Sequence, residues 1–244
     1  MADTYATGGD FADIHAAISD ALRRAIADIR MRGVLLVGIS GRAGHGKDEV
    51  GKTLRQQLWN SGTTTSCIGP ACPMAFADTL KEVASDVFDF TSNQLYTAEG
   101  KAEIDKDWGL SPRVVLQKLG TDGFRRVFGP DVWAASLLRR IPSHVRIVLI
   151  TDVRFENEAE MIRAAGGLLL RVVRPNDDSF PAPDGPEHES ETALDYYNFT
   201  TLEMLHNDGG LVDLHERVRD TQLPRILAWF ADKRIDCETL PSAP

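Results

Sequence analysis

Residues 34–52 read VLLVGISGRAGHGKDEVGK, and the order of residue types in this stretch decides the fold. Val34, Leu35, Leu36, Val37 and Ile39 make an apolar run of the kind that forms a buried strand. After the glycines, Val50, Leu54 and Leu58 recur at helical spacing. Between strand and helix, Gly41, Gly46 and Lys47 satisfy the G-x-x-x-x-G-K pattern, with Gly44 as a third glycine. Glycines let backbone N–H groups converge on phosphate oxygens, and the helix N-terminus adds the positive end of its dipole. The lysine reaches the terminal phosphates as a point charge. Arg42, Ala43 and His45 fill the loop, with the His45 side chain expected to face solvent, and Glu49 follows in the first helical turn. Asp48 stands where a hydroxyl usually meets magnesium; its carboxylate could hold the ion directly or through water, or only complement the helix dipole. The rival reading of the stretch is a tight turn with chance glycines.

The bulk numbers narrow the function classes. The chain has 244 residues, 43% of them hydrophobic, and a formal net charge of −9. That balance argues against a non-specific binder of nucleic-acid polymer, so an anionic ligand needs locally concentrated Arg and Lys. Cys67, Cys72 and Cys237 lack metal-type clustering and suggest reduced thiols; a Cys67/Cys72 redox pair is the lesser alternative to buried packing. No apolar run approaches membrane-spanning length and no signal-peptide pattern opens the chain, so a cytoplasmic protein is expected.

Along the chain, residues 1–9 read as loose and 11–31 as an amphipathic helix packed on the sheet edge. Short strands are expected at 65–69 and near 200–206. A helix is expected at 76–89, with Asp78 as N-cap and Phe76, Leu80, Val83 and Val87 on one face. The polar, weakly periodic stretch 92–110 reads as a solvated excursion or a mobile lid. Ser111 and Pro112 are cap and first residue of a helix ending near Gly120, and another helix follows Gly129-Pro130. VRIVLIT at 145–151 and LLLRVV at 168–173 are strands, with a helix at 155–165 between them closed by Gly166-Gly167. Residues 175–190 read as a loop, and helices follow at 210–220 and 223–234. Strands alternating with helices imply an α/β fold of three layers around a parallel sheet of about five strands, the P-loop NTPase type. The expected domain plan is a helical extension 1–33, a P-loop domain 34–222 with a helical acceptor-binding or lid insert 76–140, and a C-terminal helix and tail 223–244.

Two further clusters carry chemistry. Asp152-Val153-Arg154-Phe155-Glu156-Asn157-Glu158 leaves a buried strand at the ligand-binding edge of such a sheet. Arg154 suits a bidentate grip on phosphate, Asp152 could hold magnesium through water or orient Arg154, and Glu158 could accept hydrogen bonds from a sugar or base. Acidic residues complementing a helix dipole are the structural alternative, good for Glu156 and Glu158 but poor for Arg154. Residues 111–140 carry Arg113, Lys118, Arg125, Arg126, Arg139 and Arg140 against Asp122 and Asp131. That local positive excess suggests a second anion site, as phosphoryl transfer between two anions requires. Arg139 and Arg140 read as complements of a helix C-terminus, which leaves Arg125 or Arg126 for function. Trp133 could stack on a base or sit in the core, and Lys81 could lie near an acceptor phosphate.

The chain resembles the phage-type deoxynucleoside monophosphate kinases, a branch of the P-loop kinases. The matching elements are GISGRAGHGKD, FADTLKE, SPRVVLQKLGTDGFRR followed by GPDVW, ITDVRFENEAE, RVVRP, HESE and HNDGGLVDL. LQKLGTDG with DVRFENE is far more specific than the loop, and Asp48 fits the family. The resemblance implies transfer of the terminal ATP phosphoryl group to a deoxynucleoside 5′-monophosphate with magnesium. Carried over by position, Gly41 to Asp48 hold the ATP phosphates, Arg174 serves the ATP side, and Lys81, Gly120, Thr121, Trp133, Asp152, Arg154 and Glu158 surround the acceptor. Its partners are then small nucleotides rather than polymers or membranes, and a homodimer through 76–140 is compatible with the sequence. Two rivals are kinases of dephospho-coenzyme A or phosphomevalonate type, and a nucleotide-binding switch that transfers nothing.

Overall fold

Five strands assemble into one parallel sheet in the order β2-β3-β1-β4-β5. They are β1 (Leu35–Ser40), β2 (Cys72–Met74), β3 (Ile147–Val153), β4 (Leu168–Val173) and β5 (Met204–His206). The computed structural model describes residues 8–60, 71–175, 189–200 and 203–233. The chain divides into two compact units, one made of Phe76–Arg140 with the residues up to Ala25, the other of Ile26–Ala75 and Ile141 onward.

The sheet unit follows from its sequence periods. β1 is buried along its whole length, as its continuous apolar run requires of a central strand covered on both faces. On one face lie α2 (Lys47–Asn60) and the helical run α11 (Leu211–Arg217) to α12 (Leu223–Lys233). Leu35, Val37, Leu54, Leu149, Leu214 and Phe230 share that core. On the other face lies α9 (Glu156–Ala164), whose Ile162 is fully buried. The layering is therefore helix, sheet, helix. Connections leave β1 toward the β2 edge and β4 toward the β5 edge, so a crevice opens at the carboxyl ends of β1 and β4, where ligands bind in such sheets.

The expected strand 65–69 lies outside the described residues, as do Cys67, Cys237 and most of the loop 175–190. Cys72 lies on the short edge strand β2, half-buried, with no disulfide partner among the described residues. The helices expected at 210–220 and 223–234 are one continuous run, joined by a π-helical turn at Val218–Gln222. That wider turn lies next to Pro224, whose missing amide leaves an α-helical turn one hydrogen bond short.

In the helical unit, α1 (Gly8–Met31) contributes its residues up to Ala25. Ser19 Oγ donates to Asp131 Oδ2 at 2.9 Å, which ties this part of α1 to its helical neighbours within the unit. Helix α3 (Ala77–Phe88) is capped by Phe76 without a side-chain bond, and Asp78 lies inside the first turn, so the expected N-cap is displaced by two residues. Val87, expected on the buried face, is exposed. The stretch 92–110 is organised by α4 (Ser92–Tyr96) and α5 (Ala98–Ala102), with Thr91 and Thr97 as caps. Leu95 joins Ala84, Phe90 and Val115 in a small core. Asp105 accepts the amides of Asp107 and Trp108 at 3.0 and 3.1 Å and Nε2 of Gln94 at 2.9 Å. The weak helical period of this stretch reflects short elements held by polar caps rather than by an apolar stripe. Ser111 caps α6 (Pro112–Gln117) as expected, but the helix does not stop at Gly120. It passes through a π segment, Lys118–Arg125, into α7 (Arg126–Phe128) and ends at Gly129, whose φ of 93° is left-handed. Helix α8 (Val132–Arg139) follows.

Candidate functional site

The glycine loop sits at the carboxyl end of the central strand. Gly46, at φ 94°, turns the chain into α2, which starts at Lys47. Val50 N–H returns to the Gly46 carbonyl at 3.0 Å. The loop is buttressed from two strands. His45 Nδ1 lies 3.3 Å from the Val172 carbonyl, so that nitrogen carries the proton. Asn207 Nδ2, just past β5, donates to the His45 carbonyl at 3.0 Å. The expectation of a solvent-facing His45 is thus corrected: it packs toward β4. Asn207 was not singled out from the sequence, because an Asn in HNDGG reads as a turn residue.

Lys47 is 14% exposed, and its Nζ lies 3.8 Å from an Asp48 carboxylate that is 71% exposed. Glu49 pairs instead with His215 Nε2 at 3.0 Å, tying the first turn of α2 to α11. The end of β3 packs against the same helix. A Cβ on Gly51 would stand 2.6 Å from Thr151 Cγ2, so only glycine admits this approach. The β1–β3 register moves from Gly38↔Ile150 to Ser40↔Val153, one extra residue on β3. Such irregularities re-aim side chains at sheet rims. Asp152 lies within this stretch at the end of β3, and Arg154 follows it.

Arg154 Nη1 donates at 3.3 Å to the carbonyl of Ser190 in the short helix α10 (Glu189–Thr192), which joins DVRFENE to HESE across the unit; His188 lies outside the described residues. Glu158 does not face a ligand. It is 2% exposed, and its Oε2 accepts the backbone amides of Arg154 at 2.8 Å and Phe155 at 3.1 Å. The carboxylate therefore closes the N-terminus of α9, and the expected sugar or base contact is corrected to a cap. Arg174, just past β4, is exposed. A residue that the sequence reading passed over is Arg171, in β4 opposite Ser40. It bonds Ser40 Oγ and Asp195, each at 2.9 Å. Burial pushes its guanidinium below the ordinary value, against the opposing pull of Asp195. Nothing in LLLRVV marks it except a cation in an otherwise apolar strand.

In the helical unit, Lys81 Nζ lies 4.2 Å over the ring of Tyr96, and it makes no hydrogen bond or ion pair among the described residues. Burial, then Asp78 and Glu82, push the Tyr96 hydroxyl up. Gly120 and Thr121 both lie in the π segment. Arg125 Nη1 is spent on the Pro130 carbonyl at 3.0 Å, whereas Arg126 is exposed and without a side-chain partner among the described residues. Lys118 pairs with Asp122 and Arg140 with Glu82, so the local cationic excess resides in fewer groups than a count suggests. Arg140 reaches Glu82 on α3 rather than complementing its own helix end. Trp133 is 5% exposed, its ring against Phe124 at 4.8 Å and its Nε1 on the Gly120 carbonyl at 3.2 Å. It is a core residue, and base stacking is corrected accordingly.

A glycine loop after the central strand of a 2-3-1-4-5 parallel sheet defines the P-loop kinase fold. The description of deoxynucleotide monophosphate kinases matches residues 63–218, and the chain belongs to that family. The matched span begins after the phosphate loop, so loop and family are independent pointers. A protein of Acanthamoeba polyphaga mimivirus is 31% identical over 168 residues, covering 61% of this chain and 80% of the relative. The deoxynucleoside-5′-monophosphate kinase of Escherichia phage T5 is 26% identical over 239 residues, covering 74% and 92%. The deoxynucleotide monophosphate kinase of Enterobacteria phage T4 is 28% identical over 122 residues, covering 48% and 47%. No helix among the described residues is long and apolar enough to cross a membrane.

Proposed function

We propose that this chain transfers the terminal phosphoryl group of ATP to deoxynucleoside 5′-monophosphates, giving the diphosphates. The observation that carries this reading is the buttressed glycine loop, with β3 packed onto the same helix at Gly51 so that Asp152 and Arg154 leave the sheet beside it. The loop amides and Lys47 hold the donor's phosphates, with Arg174 on the same side. Arg154 grips a transferred or accepting phosphate, and Asp152 orients it. The helical unit supplies the acceptor site, with Lys81, Gly120, Thr121 and Arg126 as its lining and Arg125 holding the turn at Pro130.

The acceptor's phosphate oxygen is already anionic at neutral pH. Positioning and charge neutralisation supply the catalysis, and no protein nucleophile is needed. Asp48 and Asp152 are hard oxygen donors that suit magnesium, an ion that keeps waters and takes one or two carboxylates alongside phosphate. No cage of three or more His, Cys, Asp or Glu side chains forms among the described residues, and an ion arriving with its nucleotide needs none. When bound there, magnesium would neutralise charge on the donor's phosphates.

A coupled assay with ATP and each of the four deoxynucleoside monophosphates, their ribo counterparts and dephospho-coenzyme A tests the reading. ADP release is expected with one or more deoxynucleotides. Release with dephospho-coenzyme A alone, or ATP binding without transfer to any acceptor, would replace it. Lys47→Ala is expected to lower transfer by about a hundredfold or more, as loss of an electrostatic clamp does, with the thermal midpoint unchanged. Wild-type turnover in that variant refutes the loop assignment.

A further inference from the structure

Gly41 opens the phosphate loop, and the residues on either side of it are gripped by one pair of side chains. Before it, Ser40 Oγ accepts from Nη1 of Arg171 at 2.9 Å. After it, the Arg42 guanidinium meets the Asp195 carboxylate through Nη2 and, at 3.4 Å, through Nε. Arg171 Nη2 closes the circuit on the same carboxylate at 2.9 Å. The anchor is the well-covered part: the side chains of Arg171 and Asp195 are 11% and 20% exposed, against 42% for Arg42.

The charges fit the purpose. A lone carboxylate beside a phosphate loop would repel the ligand, but Asp195 sits between two guanidinium groups and the trio keeps a net positive charge. An exposed ion pair contributes little to stability, so the Arg42 arm adds little to holding the fold. Its effect is geometric, because it immobilises the residue that follows the first glycine. Sub-ångström placement of such groups matters for transfer. Asp195 also lies a few residues past Ser190, whose carbonyl receives Arg154. The segment 189–200 therefore touches both the loop and the DVRFENE corner.

We propose that Asp195 is a positioning residue for donor binding: anchored on Arg171, it acts through Arg42 to hold the first turn of the phosphate loop in its receptive shape. This rests on the phosphoryl-transfer reading above, and the test separates the two.

The experiment is a double-mutant cycle on the full chain with Arg42→Gln, Asp195→Asn and both together. It is read as KM for ATP, KM for the acceptor, kcat, and calorimetric affinity for a non-hydrolysable ATP analogue. Asp195→Asn is expected to raise KM for ATP and weaken analogue binding by about tenfold, the scale of one charge-assisted contact, while the acceptor KM stays constant. In the Arg42→Gln background the same substitution is expected to change little, within about twofold, because its effect passes through Arg42. Asp195→Glu is expected to restore most of the affinity. Independent effects that multiply in the double variant overturn the proposal, as does a folded Asp195→Asn with wild-type KM for ATP. If Asp195→Asn alone fails to fold because Arg171 loses its counter-charge, Asp195→Asn with Arg171→Gln removes both charges and carries the cycle. A wild type that binds the analogue but phosphorylates no deoxynucleotide overturns the acceptor reading, while an uncoupled cycle overturns the positioning role.

Discussion

Trp133 donates its indole proton to the carbonyl oxygen of Gly120 at 3.2 Å. The carbonyl belongs to the π segment Lys118–Arg125, where the wider turn disturbs the ordinary ladder and leaves room for a side-chain donor. The bond fixes α8 to the helix before it. Trp133→Phe keeps an aromatic ring against Phe124 and loses the bond, so stability is expected to fall by about 1–2 kcal/mol. Denaturant unfolding measures that loss, and KM for the acceptor should stay within twofold. A large rise in acceptor KM at unchanged stability would return Trp133 to the ligand.

Glu158 caps α9 from within the core. Removing its carboxylate leaves the amides of Arg154 and Phe155 without their acceptor in a buried place. Glu158→Ala is expected to cost about 2–3 kcal/mol, the range for bonds to a charged partner. Turnover should fall as well, because one of the freed amides belongs to Arg154. Glu158→Gln keeps an acceptor oxygen and should recover part of both losses. Chemical unfolding and steady-state kinetics on the two variants separate the outcomes, and an unaffected Glu158→Ala contradicts the cap.

Gly46 combines a left-handed backbone with a crowded side. A Cβ there would meet Asn207 Nδ2 at 2.8 Å, the nitrogen that holds the loop at His45. Gly46→Ala is expected to destabilise by about 1–3 kcal/mol, as non-glycine residues at positive φ do. It should weaken ATP binding more than acceptor binding. Calorimetric titration with each nucleotide checks the asymmetry; equal weakening would deny the loop its separate role.

Asp105 provides a pH signature for the helical unit. The Gln94 side chain, then the Trp108 amide, hold its carboxyl below the usual range. A depressed carboxyl contributes stability that is complete above its unfolded value of about 3.9 and is lost as pH falls through the lower folded value. The stability difference between wild type and Asp105→Ala is therefore expected to be constant from pH 7 to 5 and to shrink below pH 4. Unfolding curves across that range check it, and a difference that grows with acid contradicts the assignment.

Legibility followed the range of the interaction. Ser111 before Pro112 and the two glycines closing α9 could be read because each signal and its effect lie within one turn of chain. Glu158 admits both a ligand and a dipole reading in the sequence, because its partner amides, three and four residues back, form a cap that looks like any acidic helix start. Lys118 adds to the cationic excess of 111–140 and Arg140 reads as a helix-end complement in the sequence, yet Asp122 and Glu82 are the partners they take. Gly120 looked like a stop because a glycine in a helical pattern usually is one, and the π segment that carries the chain past it has no residue signature.

By itself, the sequence determined the parallel α/β sheet, the phosphate loop after its central strand, and the membership betrayed by DVRFENE and LQKLGTDG. Those depend on residue period and on motifs a few positions long, which local backbone physics converts directly into strand, turn and helix. Only the tertiary structure decided that His45 turns inward, that Trp133 belongs to the core, and that Asp195 grips Arg42 from 153 positions away. Pairings at that separation depend on how strands order themselves in the sheet and on which buried charge needs a counter-ion, and no stretch of chain carries that information alone.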